Sequence, residues 1–416
     1  MWADTRPANT HPSSSALSQR EREGASRLVR LWCVHMRTSR SLRTRAAVVG
    51  ASGLIGALLA FAPIATSAQS ATADPNGFAY GFQVQLWHYD PAARSNVIGD
   101  VTQAGFNWLT QQIEWMEVEV EPGNYDFTQL DNIVGETNAA GLKLMLSFSH
   151  APVFYRTPAS GLMPGDPSTY GAFMQAIASR YAGQVQAYEL WNEENLDREA
   201  GTGNVDPSTY LPLLEAGYTG VKSVDPNALV LLGAPSPTGV NEPGVSIDDV
   251  SYLQQLYAIN GGEAAGFFDI VSAHPSGFSN PPDCAPATPE CSLSGGWNTD
   301  DSFFAFTRAS EYHDVMAQNG DDGKQIWFTE FGYCSNPNPP PGYEYCRYIT
   351  EDQQAQFLMQ AYNMARRTPY VGAMFEWNLN FQMSVPQFDE KWGFGIVHDD
   401  YTGRPAYFRL LGMPKP

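Results

Sequence analysis

From residue 80 onward, short apolar runs alternate with longer segments in which apolar residues recur every three or four positions. Tyr80 to Leu86, Phe106 to Ile113, Lys143 to Phe148 and Val185 to Trp191 read as strands. So do Ala228 to Gly233, Phe268 to Ala273, Gln325 to Glu330 and Val371 to Trp377. These runs are mostly apolar rather than strictly alternating, which suits strands buried on both faces. Helices are predicted over Ser95 to Ala104, Thr128 to Ala140, Pro167 to Ala182 and Pro207 to Val224. The later ones are Asp248 to Asn260, about 301 to 319, Glu351 to Arg366 and Arg404 to Leu411. Gly141 stands where a helix commonly ends on a left-handed residue. Eight unbroken strand-then-helix units predict parallel strands closed into a (β/α)8 TIM barrel, an α/β fold. The alternative is an open doubly wound sheet, but no G-x-G-x-x-G turn follows the first strand. Between Asp74 and Pro416 there is no Ser/Gly linker or shift in composition, so 74–416 reads as one domain.

The part before it reads differently. Ala46 to Ala68 holds no charged residue, and Arg37, Arg40, Arg43 and Arg45 precede it. Basic flank, apolar core and the small residues Thr66-Ser67-Ala68 predict a secretory signal peptide within an N-terminal extension, 1–73, with Met36 a more ordinary start. A retained anchor at 46–68 is the alternative, since that length could span a bilayer. Ala, Gly and Pro63 in the segment favour cleavage and an extracellular protein without stable membrane association.

Charge narrows the partners. Residues 1–73 hold nine of the 24 basic residues and three of the 44 acidic ones, so the remainder carries a net charge near −26. Such a surface repels nucleic acid and anionic membranes and suits neutral ligands. Cys284, Cys291, Cys334 and Cys346 fall in the domain and allow three pairings. The local pairing, Cys284 with Cys291 and Cys334 with Cys346, closes two short Pro-rich loops. A zinc site is disfavoured because no C-x-x-C spacing occurs.

Two strand ends carry the candidate chemistry. Tyr188-Glu189-Leu190-Trp191-Asn192-Glu193-Glu194-Asn195 passes abruptly from apolar to amide and carboxylate. Gln325-Ile326-Trp327-Phe328-Thr329-Glu330-Phe331-Gly332 repeats that design with one glutamate. A glutamate buried in such company needs a partner. In a barrel both would fall at the C-terminal rim, on strands four and seven, and two opposed carboxylates suit glycoside cleavage. Glu189 and Glu194 compete with Glu193. Strand alternation turns Glu189 and Glu193 to one side, but only Glu193 reaches the rim. Trp87, Trp115, Phe154, Tyr155, Tyr333 and Trp377 are candidate faces for sugar stacking. The loop 276–301 is long enough to act as a flap, with Trp297 as a sugar contact.

These motifs resemble clan A glycoside hydrolases, most closely family 39 or the related family 5. WNE at Trp191-Asn192-Glu193 and TEFG at Thr329-Glu330-Phe331-Gly332 carry the resemblance. Pro122-Gly123-Asn124-Tyr125-Asp126-Phe127, Asp269 to Pro275 and Arg404-Pro405-Ala406-Tyr407 extend it. The resemblance implies Glu193 as acid/base, Glu330 as nucleophile and retention of configuration on a carbohydrate substrate. It also implies Asn192 at the 2-hydroxyl, with His274 and Trp377 lining the pocket. The basic residue often found on strand two is replaced by Thr110-Gln111-Gln112, and the aromatic hydroxyl after His-Pro by Ser276. Gln112, His150 or Tyr333 are therefore the candidates for holding the nucleophile. No cofactor or metal is implied. A metal-dependent hydrolase would have to use His150 and His274 but lacks a third strand-end histidine, and a non-catalytic sugar-binding barrel would not need both glutamates.

Overall fold

The computed structural model describes residues 77–201, 203–284 and 305–415. The apolar segment at 46–68, Trp297 and Cys291 lie outside the described residues, as does most of the 276–301 loop. Among the described residues no helix is long and apolar enough to cross a membrane.

Eight parallel strands close into a barrel. They are β1 (Ala79–Gln83), β2 (Trp108–Glu114), β3 (Lys143–Ser149), β4 (Ala187–Leu190), β5 (Leu229–Leu232), β6 (Ile270–Ala273), β7 (Gln325–Phe331) and β8 (Val371–Glu376). Each pairs with its neighbours in sequence, and β1 pairs with both β2 and β8 to complete the ring. The helices that return the chain are α1 (Pro91–Gln103), α2 (Thr128–Ala139), α3 (Pro167–Arg180), the short α4 (Asp197–Ala200), α5 (Pro207–Val224), α6 (Asp249–Ala258), α7 (Ala309–Gln318), α8 (Glu351–Ala365) and α9 (Pro405–Leu411).

Local chemistry explains where several helices begin. α1, α3 and α5 each start with Asp-Pro: proline fills the first position, where its missing N–H costs nothing, and the preceding aspartate accepts a backbone N–H. Thr350 and Gln353 form a reciprocal capping box at α8. Between β2 and α2 the chain forms an antiparallel hairpin, Glu119–Glu121 with Asn124–Tyr125, turned by Gly123 at φ +74°.

Side chains fill the barrel as a core rather than leaving a pore. Ala79, Trp108, Met145, Ala187, Leu231, Ile270, Trp327, Ala373 and Phe375 form the inner cluster. Trp108 and Trp327 meet edge to face at 5.3 Å. Gly81 is required here, because a Cβ would sit 2.2 Å from the Phe375 ring. Cys334 and Cys346 are disulfide-bonded as expected, and the bridge lies in a cluster with Tyr343, Tyr345, Trp377 and Phe394 beside the barrel mouth.

Candidate active site

A cleft of about 290 Å³ opens at the C-terminal ends of the strands. Gln83 of β1, Glu114 of β2, His150 after β3, Asn192 and Glu193 after β4, Glu330 of β7 and Trp377 after β8 all line it. The two glutamates therefore share one site. One oxygen of each lies within 4.8 Å of the other and of His274.

They reach it by different backbone devices. β4 ends at Leu190, and the chain then turns through Trp191 at φ +81° and Glu193 at φ +44°. Simple alternation thus does not aim Glu193; a left-handed turn does. That turn is tied down from several sides. The Glu193 N–H donates to the Ala234 carbonyl, and the Glu193 carbonyl accepts from Leu196 N–H. The Asn195 amide bridges Ser236 and Ile247. Left-handed non-glycine residues cost on the order of 1–3 kcal/mol each and persist where the surroundings dictate them. On β7 the device is a bulge. Phe328 pairs with Met374 but Phe331 with Glu376, so one extra residue is inserted. Thr329 and Glu330 consequently both turn inward while Phe331 packs outside on Phe306 and Tyr362.

The two carboxylates have unlike surroundings. Glu193 is 5% exposed; its Oε1 lies 3.2 Å from His274 Nδ1, and its Oε2 meets the Arg198 guanidinium. Burial pushes the Glu330 carboxyl up, opposed by His274, whose Nδ1 is 3.9 Å from Glu330 Oε2, and by a hydrogen bond with Gln83. Gln83 and His274 thus occupy the place that sequence assigned to Gln112, His150 or Tyr333. His150 instead bridges Glu114 at 3.3 Å and Glu199 at 3.1 Å. Burial works against its charge, but the two carboxylates outweigh it and the imidazole titrates at about 10.

The competing glutamates are set apart by position. Glu194 is fully buried behind β4 and β5, where burial pushes its carboxyl to about 8 and the nearest groups include Tyr210 and Gly233. Glu189 lies inside the barrel, where burial raises its carboxyl and the nearby His274 and the hydroxyls of Thr329, Ser272 and Ser147 oppose that rise.

Four aromatic assignments are corrected. Trp115 is a core residue: after β2 the chain makes a single helical turn, Trp115–Val118, that carries the indole onto Phe173 at 4.9 Å and its N–H to Glu119. Tyr333 is fully buried against Phe357, because it follows the bulged end of β7 and points into the helix layer. Phe154 and Tyr155 do not line the cleft either, whereas Trp87 and Trp377 do. Trp377 is braced by Phe381 and Phe394. Asn192 lines the cleft, and its Oδ1 is buried without a hydrogen-bond partner. Sequence reasoning missed Gln83, Arg198, Glu199 and Lys391. Alternation along β1 could have found Gln83; Arg198 and Glu199 stand five and six residues past the WNE motif with no periodic cue.

Glu193, His274 and Glu330 are spaced so that a divalent cation could touch all three. Arg198 already neutralises one of those carboxylates, which sets the cluster apart from an open metal site.

Comparison with known proteins agrees with this geometry. Residues 71–380 match the family model described as cellulase, glycosyl hydrolase family 5. The chain belongs to that family and has the clan A barrel, and it spans just under two thirds (63%) of the first family 39 structure it matches. The fold is similar to a family 39 glycoside hydrolase from Bacteroides cellulosilyticus WH2, with TM-score 0.60 and 19% identity over 80% of this chain and 63% of that one. It is also similar to GH5_18 from Streptomyces cattleya in complex with GlcNAc, with TM-score 0.61 and 13% identity over 82% of each chain. A third is xylanase 10B from Thermotoga petrophila RKU-1 in complex with xylobiose, with TM-score 0.53 and 16% identity over 80% of this chain and 94% of that one. No curated protein matches the sequence significantly.

Proposed function

We propose that this protein is a secreted retaining glycosidase acting on neutral, β-linked oligo- or polysaccharides, with Glu193 as acid/base and Glu330 as nucleophile. One observation carries the reading: the two carboxylates stand within 4.8 Å at the mouth of the barrel. Retaining pairs stand about 5–5.5 Å apart, whereas inverting pairs leave room for a water at roughly 6.5–9.5 Å.

Chemistry follows from that spacing. Glu330 forms a bond to the anomeric carbon as the glycosidic C–O bond breaks, and Glu193 gives its proton to the departing oxygen. Glu193, now a carboxylate, takes a proton from water while that water's oxygen bonds to the anomeric carbon and Glu330 leaves. Asn192 supplies a fixed polar contact for a sugar hydroxyl, and Trp377 and Trp87 supply faces for the ring. The acidic remainder of the chain and the xylobiose and GlcNAc bound by two fold neighbours favour a neutral sugar. Arginines before an uncharged segment and a disulfide in the domain favour export.

The test uses a panel of β-linked polysaccharides and activated 2-deoxy-2-fluoro glycosides. The expected outcome is a covalent adduct mapped by mass spectrometry to Glu330, retained anomers by NMR, and activity unaffected by EDTA. Adduct on another residue, or inverted product, would refute the assignment.

A further inference from the structure

Both oxygens of the Glu193 carboxylate are engaged. His274 takes Oε1 on the side facing Glu330, and the Arg198 guanidinium takes Oε2. A glycosidic oxygen entering the cleft has to compete for Glu193 with one of these two, and His274 is held between both glutamates. Arg198 is the other partner, a long side chain on the four-residue helix α4, 11% exposed. A second carboxylate is within its reach: Arg198 Nε lies 3.7 Å from Glu199 Oε1. The other oxygen of Glu199 lies 3.1 Å from His150, which also pairs with Glu114 on β2. A row of alternating charges thus runs from β2 through β3 and α4 to the candidate acid/base.

We propose that Arg198 is a positioning residue shared between two carboxylates, Glu193 and Glu199, and that a shift of its hold from the first to the second as a leaving group binds decides when Glu193 takes up its proton. The proposal rests on reading Glu193 as the acid/base. Seated on Glu193, the guanidinium favours the carboxylate. Moved to Glu199, it frees Oε2, and Glu193 takes one proton from solvent, which it then gives to the leaving oxygen. After the glycosyl-enzyme has formed, Glu193 is again an anion, and the return of Arg198 favours the basic form that activates water. His150 fits this role, because its charge keeps Glu199 ionised and ready as the second carboxylate. Other charged groups border the pair: Glu330 and His274 across the cleft, Glu189 beneath His274, and Glu390 and Lys391 beyond β8. They are unchanged in the variants below, so a difference in the Glu193 titration reads Arg198.

The test is a carbon-13 NMR titration of protein labelled at glutamate carboxyl carbons, the Glu193 signal being assigned by its loss in Glu193→Gln. In Arg198→Gln the Glu193 midpoint is expected to rise by about one to three pH units, as removal of an adjacent opposite charge should do. Arg198→Lys should return most of that shift. An unmoved midpoint overturns the proposal. Should Arg198→Gln fail to fold, Arg198→Met keeps the stem packing and carries the same reading. The function itself fails separately: wild-type turnover in Glu193→Gln would remove the acid/base role and leave the titration result standing.

Discussion

The two halves of the cleft carry the same sequence device, an apolar strand closing on a glutamate, and treat it in opposite ways. On the β4 side Glu193 joins a web of charges, with Arg198, Glu199, His150 and Glu114 in contact. On the β7 side Glu330 is the more exposed of the two, its side chain 19% accessible against 7% for Glu193, and Gln83 and His274 oppose the upward push of burial. Proton transfer needs a carboxyl whose charge state can change, and long charged neighbours can move to allow that. Attack on carbon needs a carboxylate held still, and a strand bulge with short polar neighbours holds it. Identical residue types thus acquire different aptitudes from the elements that deliver them.

That contrast can be broken most sharply at its two centres. Glu330→Gln should lower kcat by roughly 10⁴–10⁶-fold on every substrate, the scale seen when a nucleophile is removed. Glu193→Gln should cost about 10²–10⁴-fold on natural glycosides, the usual worth of general acid–base catalysis. It should cost far less in the first step on aryl glycosides whose leaving group needs no proton. Equal losses for both variants on both substrate types would erase the division of labour.

The charged side can be probed through pH. The His150 imidazole titrates at about 10 in the fold against an ordinary 6.5, so its contribution to stability is complete below about 6.5 and disappears as pH rises toward 10. Glu114 and Glu199 are held low by the same contacts, and their contribution is lost as pH falls below the ordinary carboxylate range. Comparing Tm of wild type and His150→Gln from pH 5 to 10 should show a gap that is widest near pH 6 and narrows toward pH 10. A constant gap would mean that His150 acts by packing alone.

The smallest effect is expected one residue from the largest. Glu194 is fully buried and pushed to about 8, so it is a neutral acid at pH 7. Glu194→Gln, similar in shape and also uncharged, should leave kcat within about threefold and Tm within a few degrees, the range of near-isosteric exchanges in packed sites. A loss comparable with that of Glu193→Gln would mean that the two neighbours share the chemistry.

Much of this was legible before any coordinates. The apolar runs placed all eight strands, most bounds differing by one to three residues, because a strand buried on both faces leaves a dense signal that solvent-exposed segments do not imitate. The pair WNE and TEFG located both glutamates, and the spacing of Cys334 and Cys346 located their bridge. Trp115 and Tyr333 were misplaced for a common reason. An aromatic after a strand faces the cleft or the helix layer according to the local turn, and one helical turn or one bulge reverses the answer.

What the linear chain determined by itself is the order and number of its units, the burial of its strands and the identity of its paired carboxylates, since these depend on periodicity and residue type. The aim of each side chain was decided only in three dimensions. The left-handed turn at Trp191 and Glu193 exists because Asn195 and Ala234 hold it, and the inward face of Glu330 exists because β7 slips one residue against β8. Arg198, Glu199, His150 and Glu114 come from different stretches of sequence, and no pattern within any one of them records that their charges meet. Coulomb interactions act across space rather than along the backbone, so their partners appear only once the barrel has closed.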